Sequence, residues 1–253
     1  MAAALLFGLL IGLTLGLVGG GGAVLAMPAL VYAVGLGVHE ATTVSLAVVA
    51  AGAATGAVGQ IRRGTVCWSS AAWFAAAAAA GSGVGTALNR ALGGEVLLIL
   101  FSVVMILAAR ATWQRAGSPL AEAAGCPEAR AGVLIPFGAF VGALTGLVGV
   151  GGGFVVVPAL AIGLSFGMRE AMATSMVIVA IVSFFGLIAH LLAGSTLDLP
   201  VALAMGAATV AGALIGPHLA DRVSVRALGR GFAVLVVAVS IGVVGAVAAG
   251  VAV

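Results

Sequence analysis

The sequence predicts an all-α polytopic membrane protein. It is built as two inverted repeats, each a glycine-broken, re-entrant helical hairpin followed by three transmembrane helices. Three observations predict this. The 253 residues are 63% hydrophobic and only 7% charged, against roughly 25% charged in a soluble domain. One glycine-rich pattern occurs twice, 130 residues apart. The arginines sort to one side of the membrane only if the two copies are inverted.

Composition sets the class first. Seventeen ionisable Asp, Glu, Lys and Arg residues are too few to cover the surface of a soluble protein of this size. Apolar runs of about 20 residues recur along the whole chain, as spanning helices require. The start, "MAAALLFGLLIGLTLGLVG", has no basic n-region and reads as a retained first membrane segment. The net charge is +3 and all ten basic residues are arginine. They never cluster beyond two in a row, which suits topology-setting loops and not a nucleic-acid surface. Cys67 and Cys126 form no CxxC or metal spacing. Cys67 reads as a small apolar filler at a helix start and Cys126 as a loop residue.

The elements follow in order. Residues 12–30 read "GLTLGLVGGGGAVLAMPAL" and residues 142–160 read "GALTGLVGVGGGFVVVPAL". Extended to residues 45 and 175, the copies match at 14 of 34 positions. Glu40 matches Glu170 in a chain with only seven acidic residues. The first repeat, 1–116, offers apolar segments near 3–36, 41–60, 66–89 and 94–114. The second, 131–253, offers 132–166, 171–192, 199–219 and 229–250. The polar stretch 117–130 is the linker, and the charge pattern makes it cytoplasmic. Repeats of this kind are common in transporters.

The first segment of each repeat decides the topology. If it crosses once, the arginines split five to five. If it returns to its starting side, as a re-entrant hairpin or as two short crossings, nine lie inside and only Arg90 outside. Lengths agree. Residues 4–18 and 23–36 make arms of roughly 20 Å at 1.5 Å per residue, short of a ~30 Å core. Both chain ends then face outside.

Glycine costs a helix interior about 1 kcal/mol relative to alanine, so four within Gly149–Gly153 mark a break. Unpaired backbone at membrane depth is tolerated only against protein or a water-filled cavity. A helix that restarts there presents free N–H groups suited to anions, and glycine lets a ligand reach the backbone. Opposed ends at Gly19, Gly20, Gly21, Gly22 and Ala23, and at Gly149, Gly151, Gly152, Gly153 and Phe154, make a candidate oxyanion site near the midplane. Pro28 and Pro158 each remove an N–H and supply a kink or hinge. Scattered pairs such as Gly12/Gly16 and Gly81/Gly85 read instead as helix-packing seams. Neither cluster fits a dinucleotide-binding G-x-G-x-x-G after a strand.

Few polar residues lie inside the apolar segments. Glu40 and Glu170 begin "EATTVS" and "EAMATS". They suit either a first helical turn or a polar relay. Thr43, Ser45, Thr174 and Ser175, with Thr42, either line an anion path or bond back to their own helices. Gln60 and His190 hold equivalent places at the end of the next helix. His190 is a proton-relay candidate, although its place at a segment end also suits an interfacial histidine. Asn89 reads as a loop or cap residue. Trp68, Trp73 and Trp113 suit an interfacial belt.

The pattern G-x-x-x-G-L-V-G-x-G-G-G, then P-A-L, then G-x-x-E-A-x-x-T-S, is carried by Gly142–Leu160 and Gly167–Ser175. It resembles the TauE/SafE family of proposed sulfite and sulfonate exporters, over nearly the whole chain. Gly12–Leu30 and Gly37–Ser45 form a degenerate copy in which Ala23 replaces the last glycine, so the half-sites are expected to contribute unequally. The resemblance implies transport of a small sulfur-containing anion, such as sulfite, thiosulfate or an organosulfonate, across the bacterial inner membrane. A channel, or a carrier of another small organic anion, is the alternative. No cofactor or metal is expected, and the lipid bilayer is the expected surrounding partner. An intramembrane enzyme is disfavoured: the chain has no Lys, no HExxH and three widely separated His.

Overall fold

The computed structural model describes residues 1–116, 125–126, 131–149, 152–220 and 225–248. Gly151 and most of the 117–130 linker lie outside them. The described chain is helical, with no strand among its elements. Helix α1 (Ala2–Val18) leads into a 3-10 segment, Gly19–Leu25. A single turn, α2 (Ala26–Pro28), then widens into a π-helix, Ala29–Val34. Long helices α3 (Val38–Arg62), α4 (Trp68–Ala91) and α5 (Gly94–Ala116) complete the first half. The second half has α6 (Ala131–Val148) and α7 (Gly153–Pro158), which widens into a π-helix, Ala159–Gly163. Helices α8 (Met168–Leu192), α9 (Leu199–Ala220) and α10 (Val225–Ala248) follow. Seven helical stretches among the described residues are long and apolar enough to cross a membrane, with Ala2–Val34 as the first. This is a multi-pass helical membrane protein.

The glycine breaks occur where the sequence placed them. Gly19 has φ +77° and Gly149 φ +72°, a left-handed backbone that side chains resist. The chain then doubles back along the helix it left. A Cβ on Gly22 would strike the backbone of Thr14 and Leu15, and one on Gly152 would strike the Thr145 hydroxyl. The two arms are unlike, which corrects the expectation of matched short helices. The first arms are regular helices of 17 and 18 residues. The second arms mix 3-10, α and π turns. Glycines give the start of that arm no side chains to hold 3.6-residue geometry. The prolines remove an N–H, and directly after each one the helix relaxes into wide turns closed by Leu36 N–H to Leu30 C=O and Phe166 N–H to Leu160 C=O, both 3.1 Å. Left-handed residues recur at the 130-residue spacing: Gly19 and Gly149, Gly35 and Ser165, Gly64 and Gly194.

Packing exchanges helices between the halves. Helix α1 lies on α9 with both numberings rising together: Gly8 meets Met205, Gly12 meets Thr209, and Gly16 meets Gly216. Helix α6 lies on α4 in the same way, with Gly138 on Phe74, Gly142 on Ala78 and Gly146 on Ser82. Glycine at every fourth position lets backbone touch backbone, and close packing of this kind associates helices in lipid. The seam reading of Gly12/Gly16 and Gly81/Gly85 holds. Helices α3 and α8 run oppositely, since Gly56 meets Met176 while Gly186 meets Leu46. Helices α5 and α10 pair at the edge, where the Ser240 hydroxyl donates to the Ser102 carbonyl at 3.2 Å.

The cysteines need correction. Cys67 and Cys126 form a disulfide, with Cα atoms 5.6 Å apart. Cys67 is buried at the start of α4 and Cys126 is exposed. Their 59-residue separation gave no motif to read. The pairing holds Cys126 beside the start of α4.

Candidate functional site

The two glycine breaks meet. Gly153, the first residue of α7, lies against the backbone carbonyl of Gly20, so no Cβ fits between them. Around this junction the halves are arranged equivalently. Gly19 sits under Met172 in the first turns of α8, and Gly149 sits against Thr42 in the first turns of α3. Gly19–Val24, Gly152, Gly153 and Phe154 are all buried. Phe154 packs edge-on to Phe101, with ring centroids 5.7 Å apart. The first break continues as a 3-10 run, whereas the second restarts as α-helix at Gly153. The halves therefore present different backbone to the junction, in the direction that Ala23 for Gly153 suggested.

Thr42, Thr43, Ser45, Thr174 and Ser175 are all fully buried. Ser175 Oγ accepts the Gly20 N–H at 3.2 Å and donates to the Met172 carbonyl at 2.8 Å. It thereby ties the first break to the second half. Thr174 Oγ1 accepts the Cys67 N–H at 3.1 Å. Thr42 and Thr43 donate to the Val38 and His39 carbonyls of their own helix. Ser45, the equivalent of Ser175, has no hydrogen-bond partner. A buried hydroxyl in that condition costs about 1–3 kcal/mol.

Glu40 and Glu170 occupy the first turns of α3 and α8, at opposite ends of that antiparallel pair. Gln60 is a loop fastener: its Oε1 accepts the Thr65 hydroxyl at 3.2 Å. Pro28 and Pro158 stand where each second arm widens.

His190 is fully buried, in the last turn of α8. It lies 2.9 Å from the Gly146 carbonyl. A carbonyl only accepts, so Nε2 carries the proton and donates. The Ser195 hydroxyl stands 3.5 Å from Nδ1. Sequence reasoning missed what lies beside it. Asn89 Nδ2 donates to the Leu147 carbonyl at 2.6 Å, and Asn89 Oδ1 accepts from His39 Nδ1 at 3.0 Å. Two side chains from α4 and α8 thus cap two adjacent carbonyls in the last turn of α6, just before Gly149. Helix ends leave such carbonyls without intrahelical partners. The signal was available: Asn89 is the single asparagine of the chain. It is a cap, but of a helix 58 residues away.

Comparison with known proteins gives a consistent result. The family model described as sulfite exporter TauE/SafE matches residues 4–243. A "Probable membrane transporter protein" of Xylella fastidiosa (strain 9a5c) is 33% identical over 93% of this chain and 91% of its own length. A namesake from strain Temecula1 is 32% identical over the same shares. "Probable membrane transporter protein YunE" of Bacillus subtilis (strain 168) is 28% identical over 74% of this chain and 77% of its own. No solved structure matches.

Proposed function

The chain belongs to the TauE/SafE family of membrane transporters, and from that premise we propose that it exports a small sulfur-containing anion such as sulfite, thiosulfate or an organosulfonate. One observation carries the reading: Gly20 and Gly153, from the breaks of the two halves, face each other backbone to backbone inside the protein. The site comprises Gly19–Ala23 and Gly149–Phe154, with Thr43, Ser45, Thr174 and Ser175 around it. Backbone amides and hydroxyls supply the donors. The function needs no bond-making step, cofactor or metal.

The halves, 1–116 and 131–253, are read as inverted repeats joined by a cytoplasmic linker. The antiparallel α3–α8 pair, the exchanged α1–α9 and α6–α4 pairs and the repeated left-handed residues support this. Alternating access then amounts to rocking one half against the other about the junction. Pro28 and Pro158 act as hinges, and Glu40, Glu170, Gln60 and His190 are the polar relay candidates. A negative-inside potential drives an anion outward by about 2.3 kcal/mol per charge per 100 mV.

Purified protein is expected to gain thermal stability with one of sulfite, thiosulfate or sulfoacetate, and not with chloride. A ligand at 100 times its Kd adds about 2.7 kcal/mol. Stabilisation by a cation or a neutral solute alone would overturn the anion site.

The proposed orientation puts Cys67 and Cys126 at the cytoplasmic end with nine of the ten arginines. Cytosolic reductants hold such pairs open. Both are therefore expected as free thiols in growing cells, closing to the disulfide after lysis in air. Acid-quenched alkylation followed by mass spectrometry reads this directly. A disulfide already present in the cells would turn the chain over and place the linker in the periplasm.

A further inference from the structure

A groove of about 620 Å³ runs between α5 and α10, away from the glycine junction. Its two ends differ. One end is apolar, walled by Ile106, Val237 and Ile241. The other ends at Arg110 and Trp113, and the Arg230 guanidinium lies over the Trp113 ring, 5.6 Å from its centroid. Both arginines are exposed. Arg110 and Trp113 lie in the last two turns of α5 (Gly94–Ala116), and Arg230 lies in the second turn of α10 (Val225–Ala248). The arginine end therefore sits where hydrocarbon gives way to headgroups, and the apolar end at acyl-chain depth. Trp68 and Trp73, exposed at the start of α4, lie at the same end of the bundle and suit that interface level.

The geometry points to a binding site for an anionic glycerophospholipid, with one acyl chain in the groove and the phosphate between Arg110 and Arg230. Charge complementarity names the occupant. Two guanidiniums above an apolar slot match a phosphodiester above a hydrocarbon chain, and basic pockets between membrane helices hold acidic headgroups. Stacking on Trp113 orients Arg230 and leaves its N–H groups available. A zwitterionic lipid brings its own cation to the same place and gains less. This site is independent of the cargo.

The test uses the full chain in detergent with dioleoylphosphatidylglycerol, dioleoylphosphatidylcholine or glycerol phosphate added. Phosphatidylglycerol is expected to raise the unfolding midpoint by about 5 °C and to remain bound in native mass spectrometry. Phosphatidylcholine and glycerol phosphate are expected to do neither. Arg110→Gln with Arg230→Gln abolishes the shift, while Arg62→Gln, an exposed arginine off the groove, keeps it. Equal shifts with both lipids, or with glycerol phosphate, overturn the proposal. So does a dimer in light scattering that the double variant dissociates, because a second copy then fills the groove.

Discussion

Gly153→Val is expected to abolish anion flux in proteoliposomes, a loss of at least about 100-fold, while the protein still enters the membrane. A valine Cβ at this position falls on the Gly20 carbonyl, so the junction must open. Overpacking a tight site costs typically 1–3 kcal/mol, a strain that the surrounding helices can absorb. The proposed site cannot, because its donors are the backbone of those same residues. Ser175→Ala is the companion without added bulk. It removes the acceptor of the buried Gly20 N–H, at a stability cost of about 1–3 kcal/mol. Flux is expected to fall there too, with the protein well folded. Gly206→Val is the control, because a Cβ at Gly206 meets nothing within 4 Å. Wild-type flux in a monodisperse Gly153→Val protein would remove the glycine junction from the transport path.

The fold was legible because its determinants are local or periodic. Apolar length gave the helices, and the pair Glu40/Glu170 anchored the 130-residue repeat. Glycine density gave the breaks, since clustered glycine in an apolar run has few uses other than a sharp turn or a close approach. The second arms were misjudged because 3-10 and π turns leave no periodic signature over six or seven residues. The cysteine pair and the cap of α6 were illegible for another reason. Both join residues about 60 positions apart, and neither partner carries a pattern of its own. Asn89 sits in an alanine-rich helix that looks the same whether its one amide faces lipid, a loop or another helix. Its target, the Leu147 carbonyl, is invisible to any reading of side chains. The seams of Gly8, Gly12 and Gly16 were half legible. The spacing announced a close approach, but nothing announced that the partner would be α9, in the other half of the chain.

The cap of α6 gives the second large effect, because it sets the halves apart. His190→Leu and Asn89→Leu each leave a buried carbonyl of α6 without its donor, and each is expected to cost about 1–3 kcal/mol in unfolding. Asn89→Leu also strands His39 Nδ1. Gly146 and Leu147 are neighbours, so the double variant is expected to show a coupling energy of about 0.5–3 kcal/mol. Gln60 occupies the equivalent of His190, yet it bonds the Thr65 hydroxyl at its own loop and not α1. Gln60→Leu is therefore expected to stay within about 0.5 kcal/mol of the parent. The consequence for transport follows from position. The capped turn ends one residue before Gly149, where the chain reverses toward α7. Fixing that end fixes where the second break begins, and loosening it spreads Gly153 over many placements relative to Gly20. Flux is expected to fall about tenfold or more in His190→Leu and Asn89→Leu and to hold in Gln60→Leu. If the Gln60 variant suffers as much as the His190 variant, the two halves share one mechanism of support, and the asymmetry at the end of α6 has no functional weight.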